Sequence, residues 1–229
     1  LKVFLMSVNT NAYHQIKNEL STSGVELVAV SKTKPNQDII DLYEIGQRDF
    51  GENYVQELVD KAASLPQDIQ WHFIGHLQSN KVKYIAPFVY LIHGVDSEKL
   101  LQEINKQAIK HNRVIHILLQ VHIASEETKF GFDANSLMEF IQSGRWSQYQ
   151  NIVIKGLMGM ASFTEDMNQV INEFSSLSHL FQQVKNILPT TTFKTLSMGM
   201  SSDYAIAIQE GSNMVRIGSL LFGARDYAK

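Results

Sequence analysis

The sequence predicts an α/β fold, a parallel (β/α)8 barrel of the TIM type over residues 1–229, and three observations carry that expectation. Short β-branched runs alternate with longer amphipathic segments along the whole chain, the pattern of repeated βα units. Several runs are apolar on successive residues, as in Val28-Ala29-Val30 and Ile117-Leu118-Leu119, so both faces of those strands should be covered, as in a parallel sheet under helices. A length of 229 residues also suits a closed barrel, for which about 200–250 residues is usual.

Residues 1–24 read as a short N-terminal extension and helix. The first unit follows as a strand over Val25–Val30 and a helix over Asn36–Gly46, and the second as a short strand at Asp49–Phe50 and a helix over Asn53–Ala63. The third unit is Gln70–Ile74 with Asn80–Ala86, and the fourth is Val89–His93 with Ser97–His111. In that fourth helix Leu100, Leu101, Ile104, Ala108 and Ile109 form an apolar stripe, with Asp96 or Ser97 as the N-cap. Val114–Val121 and Asn135–Gly144 make the fifth unit, and Ile152–Met158 with Met167–Ile187 the sixth. The long sixth helix carries Val170, Ile171, Phe174, Leu177, Leu180, Phe181 and Val184 on one stripe and should stop before Pro189. Thr192–Leu196, Ser202–Glu210 and a last strand over Met214–Ile217 complete the pattern.

Composition narrows the function. With 44% hydrophobic residues, 19% charged, four prolines and 13 glycines, the chain can bury a large core, which excludes disordered and collagen-like classes. A net charge of −3 leaves no footprint for nucleic acid or a basic membrane surface. The absence of cysteine removes disulfides, thiolate metal sites and cysteine nucleophiles. No apolar run reaches the roughly 18 residues of a membrane span, and LKVFLM is a poor secretion signal, so the expected compartment is the cytoplasm. Position 1 is not methionine, which leaves room for a fragment edge there.

In a barrel of this type chemistry gathers at the C-terminal ends of the strands. Lys32 follows a buried run there, where desolvation would favour the neutral, nucleophilic amine that Schiff-base chemistry needs; otherwise it snorkels to the rim. The segments Leu196–Asp203 and Val215–Ser219 place Gly and Ser after the last two strands, where barrels hold phosphate, although two ordinary turns would look the same. Arg216 lies between Val215 and Ile217, so its guanidinium needs a structural acceptor or a ligand. Asn53 either meets a ligand or caps the following helix, and the cap is the simpler reading. His72 and His76 lie in a strand and its loop rather than on one helical face, which fits barrel-lining hydrogen bonds better than a metal. His116 and His122 form no ligand cluster either, and Met158, Met160, Met198 and Met200 read as pliable packing at the mouth.

These motifs coincide with one family. VAVSKTKP at Val28–Pro35, FGENYVQE at Phe50–Glu57, WHFIGHLQSNK at Trp71–Lys81, GLMGM at Gly156–Met160, LSMGMSSD at Leu196–Asp203 and GSNMVRIGSLLFGARDY at Gly211–Tyr227 resemble the pyridoxal phosphate homeostasis proteins. These are single-domain relatives of the alanine racemase N-terminal barrel, the fold-type III pyridoxal phosphate fold. The resemblance implies pyridoxal 5′-phosphate (PLP) held as a Schiff base on Lys32. It sets the phosphate against Ser201, Gly218 and Ser219, Arg216 by the pyridine nitrogen, and Asn53 near the cofactor. Lys129 matches the lysine of the family's ExxKxG segment. Two departures are visible: His122 stands where the family often has Asn, and the leading helix is short.

The function so implied is intracellular PLP homeostasis without substantial turnover, with the cofactor passing to apoenzymes and the protein a monomer or weak dimer. An arginine at the ring nitrogen disfavours a proton there and weakens the ring as an electron sink, which argues against broad amino-acid chemistry. The alternative is a PLP-dependent amino-acid racemase. That reaction needs acid–base groups on both faces of a carbanion. Racemases of this barrel type complete the second face with a further β domain and a dimer partner; the sequence as given stops at Lys229 with no such domain, and no opposite base stands out beside Lys32. A third reading, another phosphorylated ligand without a Schiff base, would make Lys32 incidental.

Overall fold

A computed structural model describes residues 8–126, 130–188 and 191–223. Among these residues eight strands pair in parallel in sequence order and close into a barrel. They are β1 (Glu26–Val30), β2 (Asp49–Glu52), β3 (Gln70–Phe73), β4 (Leu91–Val95), β5 (Ile115–Gln120), β6 (Ile152–Met158), β7 (Thr195–Met200) and β8 (Met214–Ile217). Closure is made where Glu26 faces Met214 and Ala29 faces Ile217 across β1 and β8.

The helices are α1 (Thr10–Thr22), α2 (Asn36–Glu44), α3 (Val55–Ser64), α4 (Val82–Ile85), α5 (Glu98–Lys110), α6 (Ala134–Gln142), α7 (Met167–Ile187), α8 (Tyr204–Gln209) and α9 (Ser219–Phe222). Local chemistry starts several of them: Asn9, Ser97, Asp133 and Asp166 accept backbone N–H groups at the heads of α1, α5, α6 and α7. Of the two N-cap candidates for α5, Ser97 is the one used. None of these helices is long and apolar enough to cross a membrane.

Two apolar layers result from the period-2 alternation of the strands. Residues such as Leu27, Ala29, Ile92, Ile117 and Leu119 face outward into the large core shared with the helices. Val28, Leu91, Leu118, Met158 and Met214 form a separate small cluster. His93 and Arg216 stand two residues beyond Leu91 and Met214, so the same inward faces carry polar groups toward the mouth.

Several expected boundaries move. β4 begins at Leu91 rather than Val89, because the Val89 N–H closes back on the Ile85 carbonyl at the end of α4. β7 runs Thr195–Met200 instead of Thr192–Leu196. Ser197 opposes Met214 while Met200 opposes Arg216, so β7 places three residues where β8 places two, and Gly199, at φ 96°, sits in this bulge. Asn53 is no helix cap: α3 starts at Val55 with Tyr54 at the N-cap position, which makes no side-chain capping bond. Ile109 and Ile171 leave their stripes for solvent, and Met198 packs outward in the helix-facing core rather than at the mouth. Pro189 and Lys129 lie outside the described residues.

Candidate functional site

The turn after β1 carries Lys32. The Lys34 N–H donates to the Ser31 carbonyl at 3.1 Å, which folds Ser31–Lys34 back on itself. Thr33 sits at φ 64°, a left-handed conformation that costs a β-branched residue roughly 1–2 kcal/mol. Buried charges hold the turn in place. Glu57 accepts the Thr33 N–H at 2.6 Å, and Glu52 accepts the Ser31 hydroxyl at 2.6 Å. Lys61 then joins both carboxylates at 2.7 Å each and donates to the Ser31 carbonyl at 2.8 Å. Burial outweighs the cation and the hydroxyl at Glu52, so its carboxyl sits above the usual value. On the far side, Lys34 Nζ donates to the Phe222 carbonyl at 2.7 Å, tying this turn to the end of α9.

Asn53 follows β2 directly. Its Oδ1 is buried and has no hydrogen-bond partner among the described residues. Gly75 makes this placement possible, since a Cβ there would lie 2.3 Å from the Asn53 carbonyl oxygen. The opposite wall comes from β7 and β8. Ser201 lies just past β7, and its hydroxyl accepts the Gly218 N–H at 3.2 Å, joining the two strand ends. Asp203 closes the Met200–Asp203 turn by accepting the Met200 N–H.

Lys32, Asn53, Ser201, Arg216, Gly218 and Ser219 all line one cavity of about 370 Å³ at the C-terminal mouth of the barrel. Lys32 is half-buried there. Arg216 has structural acceptors, donating to Ser197 Oγ at 2.6 Å and to the Gly159 carbonyl at 3.0 Å, and it also lines this cavity. Burial lowers its pKa to about 10, against the opposing pull of Asp203, so it remains charged at pH 7. Met160 and Met200 line the cavity as pliable wall, and Phe163 stands at its edge with 96% of its surface exposed.

The histidines separate. His72 enters the lumen, whereas His76 turns to Asp96 at 3.1 Å and stacks on Phe130 with ring centroids 3.7 Å apart. His122 Nε2 bonds the Glu126 carbonyl at 2.9 Å rather than another side chain. Sequence reasoning did not single out Ser197, Asp203 or the Lys61 cluster. The one available signal was a buried-looking Lys61 on the apolar side of a helix.

The polar set suits a phosphorylated aldehyde: an amine, a hydroxyl beside a Gly–Ser turn, a guanidinium, and an amide whose oxygen has no partner among the described residues. Comparison with known proteins agrees. The family described as "alanine racemase, N-terminal domain" matches residues 9–226. A pyridoxal phosphate homeostasis protein of Pasteurella multocida is 40% identical over 98% of this chain and 97% of its own. The human protein of that name is 40% identical over 89% of this chain and 78% of its own. Among solved structures, PipY of Synechococcus elongatus PCC7942 with PLP bound superposes with a TM-score of 0.84 at 34% identity, covering 93% of this chain and 99% of PipY.

Proposed function

The chain belongs to the alanine racemase N-terminal domain family and, within it, to the pyridoxal phosphate homeostasis proteins, and from that premise we propose that it binds PLP reversibly as a Schiff base on Lys32. The observation that carries this reading is the convergence of Lys32, Asn53, Ser201, Arg216, Gly218 and Ser219 on one cavity, with the Asn53 oxygen buried and without a partner among the described residues. PLP supplies an aldehyde that an amine can capture and a ring that withdraws electrons. Ser201 with the Gly218–Ser219 turn holds the phosphate, and the Lys32 amine holds the aldehyde carbon. Arg216 faces the ring nitrogen. It is a donor without a lone pair, and its charge at pH 7 disfavours a proton on that nitrogen.

That choice of side chain supports a carrier. A site that weakens the ring's electron demand gives little help to carbanion chemistry, while it still holds the cofactor. We therefore assign residues 1–229 to one PLP-binding domain that buffers the cofactor in the cytoplasm for apoenzymes, rather than to a racemase.

The experiment is direct. Protein loaded with PLP shows the visible absorption of a Schiff base, and borohydride fixes the cofactor to a peptide containing Lys32; Lys32→Ala loses both. An undiminished band in Lys32→Ala would refute the assignment and turn attention to Lys34. Solvent-deuterium exchange at the α-carbon of L- and D-amino acids decides between carrier and racemase. Multiple-turnover exchange with inversion, lost in Lys32→Ala, would overturn the carrier.

A further inference from the structure

The lumen beneath the cavity holds a line of polar side chains to which PLP binding, as proposed above, assigns no role. Arg216 Nη1 donates to Ser197 Oγ at 2.6 Å, and Ser197 Oγ lies 3.3 Å from His93 Nδ1. His93 Nε2 lies 2.9 Å from His72 Nδ1, and His72 Nε2 lies 3.0 Å from Asp49 Oδ1. The line crosses from β8 through β7, β4 and β3 to the first residue of β2. Ser197, His93 and His72 have no exposed surface, while the Asp49 side chain at the far end is 30% exposed.

With Asp49 ionised and both imidazoles uncharged, one arrangement of protons satisfies the whole line. An arginine only donates, and an ionised aspartate only accepts. In that arrangement Ser197 Oγ accepts the Arg216 N–H and donates its own hydroxyl to His93 Nδ1. His93 therefore carries its proton on Nε2 and gives it to His72 Nδ1. His72 in turn carries its proton on Nε2, facing Asp49. In this arrangement the two rings share one tautomer, and every donor points from the cavity toward the barrel floor. Burial, with His72 and Arg216 close by, holds His93 well below the usual imidazole value, in keeping with a neutral ring. Branched aliphatic side chains commonly fill such lumens, and a buried polar chain is costly unless every member is satisfied.

We propose that Ser197, His93, His72 and Asp49 are positioning residues for Arg216: the chain aims the guanidinium into the cavity and couples its charge to a carboxylate at the opposite end of the barrel. Asp49 thereby modulates, from a distance, how strongly Arg216 opposes a proton on the ring nitrogen of the ligand. This rests on the reading that Arg216 faces PLP, and the test separates the two.

The first arm uses ligand-free protein carrying nitrogen-15 histidine at neutral pH. Two-bond nitrogen–proton spectra should show His72 and His93 both neutral with the proton on Nε2. An imidazolium, or a proton on Nδ1 of either ring, would overturn the relay whatever the protein binds. The second arm titrates nitrogen-15-labelled PLP into wild type, Asp49→Asn and Ser197→Ala. The ring-nitrogen shift should move in both variants, and Ser197→Ala should bind PLP roughly tenfold more weakly, the usual scale for a lost hydrogen bond to a charged group. Asp49→Asn alters only the partly exposed end, so it reports even if Ser197→Ala folds poorly. Unchanged ring-nitrogen shifts in loaded, folded variants would overturn the proposal. Failure of the wild type to bind PLP would instead remove the functional reading, with the tautomers still deciding the relay.

Discussion

Replacing Lys61 with methionine keeps the length of the side chain and removes the cation that the end of β2 and the turn bearing Lys32 share. Three charge-assisted bonds disappear, to Glu52, to Glu57 and to the Ser31 carbonyl. The Lys61 and Glu52 side chains are 6% and 0% exposed, so Glu52 is left as a buried carboxylate held by the Ser31 hydroxyl alone. Breaking a buried pair in this way costs about 3–5 kcal/mol, which for a chain of this size lowers Tm by roughly 10 °C. The loss depends on pH. Glu52 already sits above the ordinary value of 4.5 in the folded protein, so its contribution to stability is complete below 4.5 and is lost as pH climbs through the raised value. Without Lys61 that value rises further and the window extends upward. Urea melts from pH 4.5 to 8 should therefore show a deficit, relative to wild type, that is small at the acid end and grows with pH. Adding Glu52→Gln should restore most of it, since a neutral amide needs no cation. A deficit below about 1 kcal/mol at pH 7, or one that is flat with pH, would refute the argument.

Two further outcomes concern the ligand. Ser201→Ala should weaken PLP by about 1.5–3 kcal/mol and leave unphosphorylated pyridoxal nearly untouched, as read by parallel fluorescence titrations; equal losses for both would place the serine elsewhere. Gly75→Ala pushes a methyl toward the Asn53 carbonyl oxygen, 2.3 Å from where the new Cβ must go, and should weaken PLP about tenfold and lower stability by about 1–3 kcal/mol. Wild-type affinity in Gly75→Ala would show that the position of Asn53 does not matter for binding.

Much of the site was legible because barrel topology ties sequence position to location. Lys32 follows the first strand, Ser201 and Gly218 follow the last two, and Arg216 is a charge inside an apolar run, so the rule for strand ends brings them together. The lumen was not legible. Whether His93 meets His72 or Ser197 depends on strand tilt and register around the whole barrel, which local patterns do not encode. The offset of β7 has a similar cause: Ser197-Met198-Gly199-Met200 includes the loop-favouring Ser197 and Gly199, yet the segment stays in the sheet through a bulge. At Asn53 the residue type suggested a cap, but the helix begins two residues later and leaves the amide for the cavity. Ile109 and Ile171 show the ordinary limit of helical stripes, whose edges drift into solvent where the neighbouring helix ends.

The cavity straddles the seam at which β8 closes on β1. Its amine comes from the first βα unit and its guanidinium and Gly218–Ser219 turn from the last, so the two halves of the site belong to opposite ends of the sequence. During synthesis the amine emerges from the ribosome early and waits while six intervening units are made. No partial product can assemble the pocket, because the wall from Arg216 to Ser219 is translated last. The cavity is thereby deferred until the barrel can close, and a chain truncated before β8 exposes Lys32 without a pocket around it.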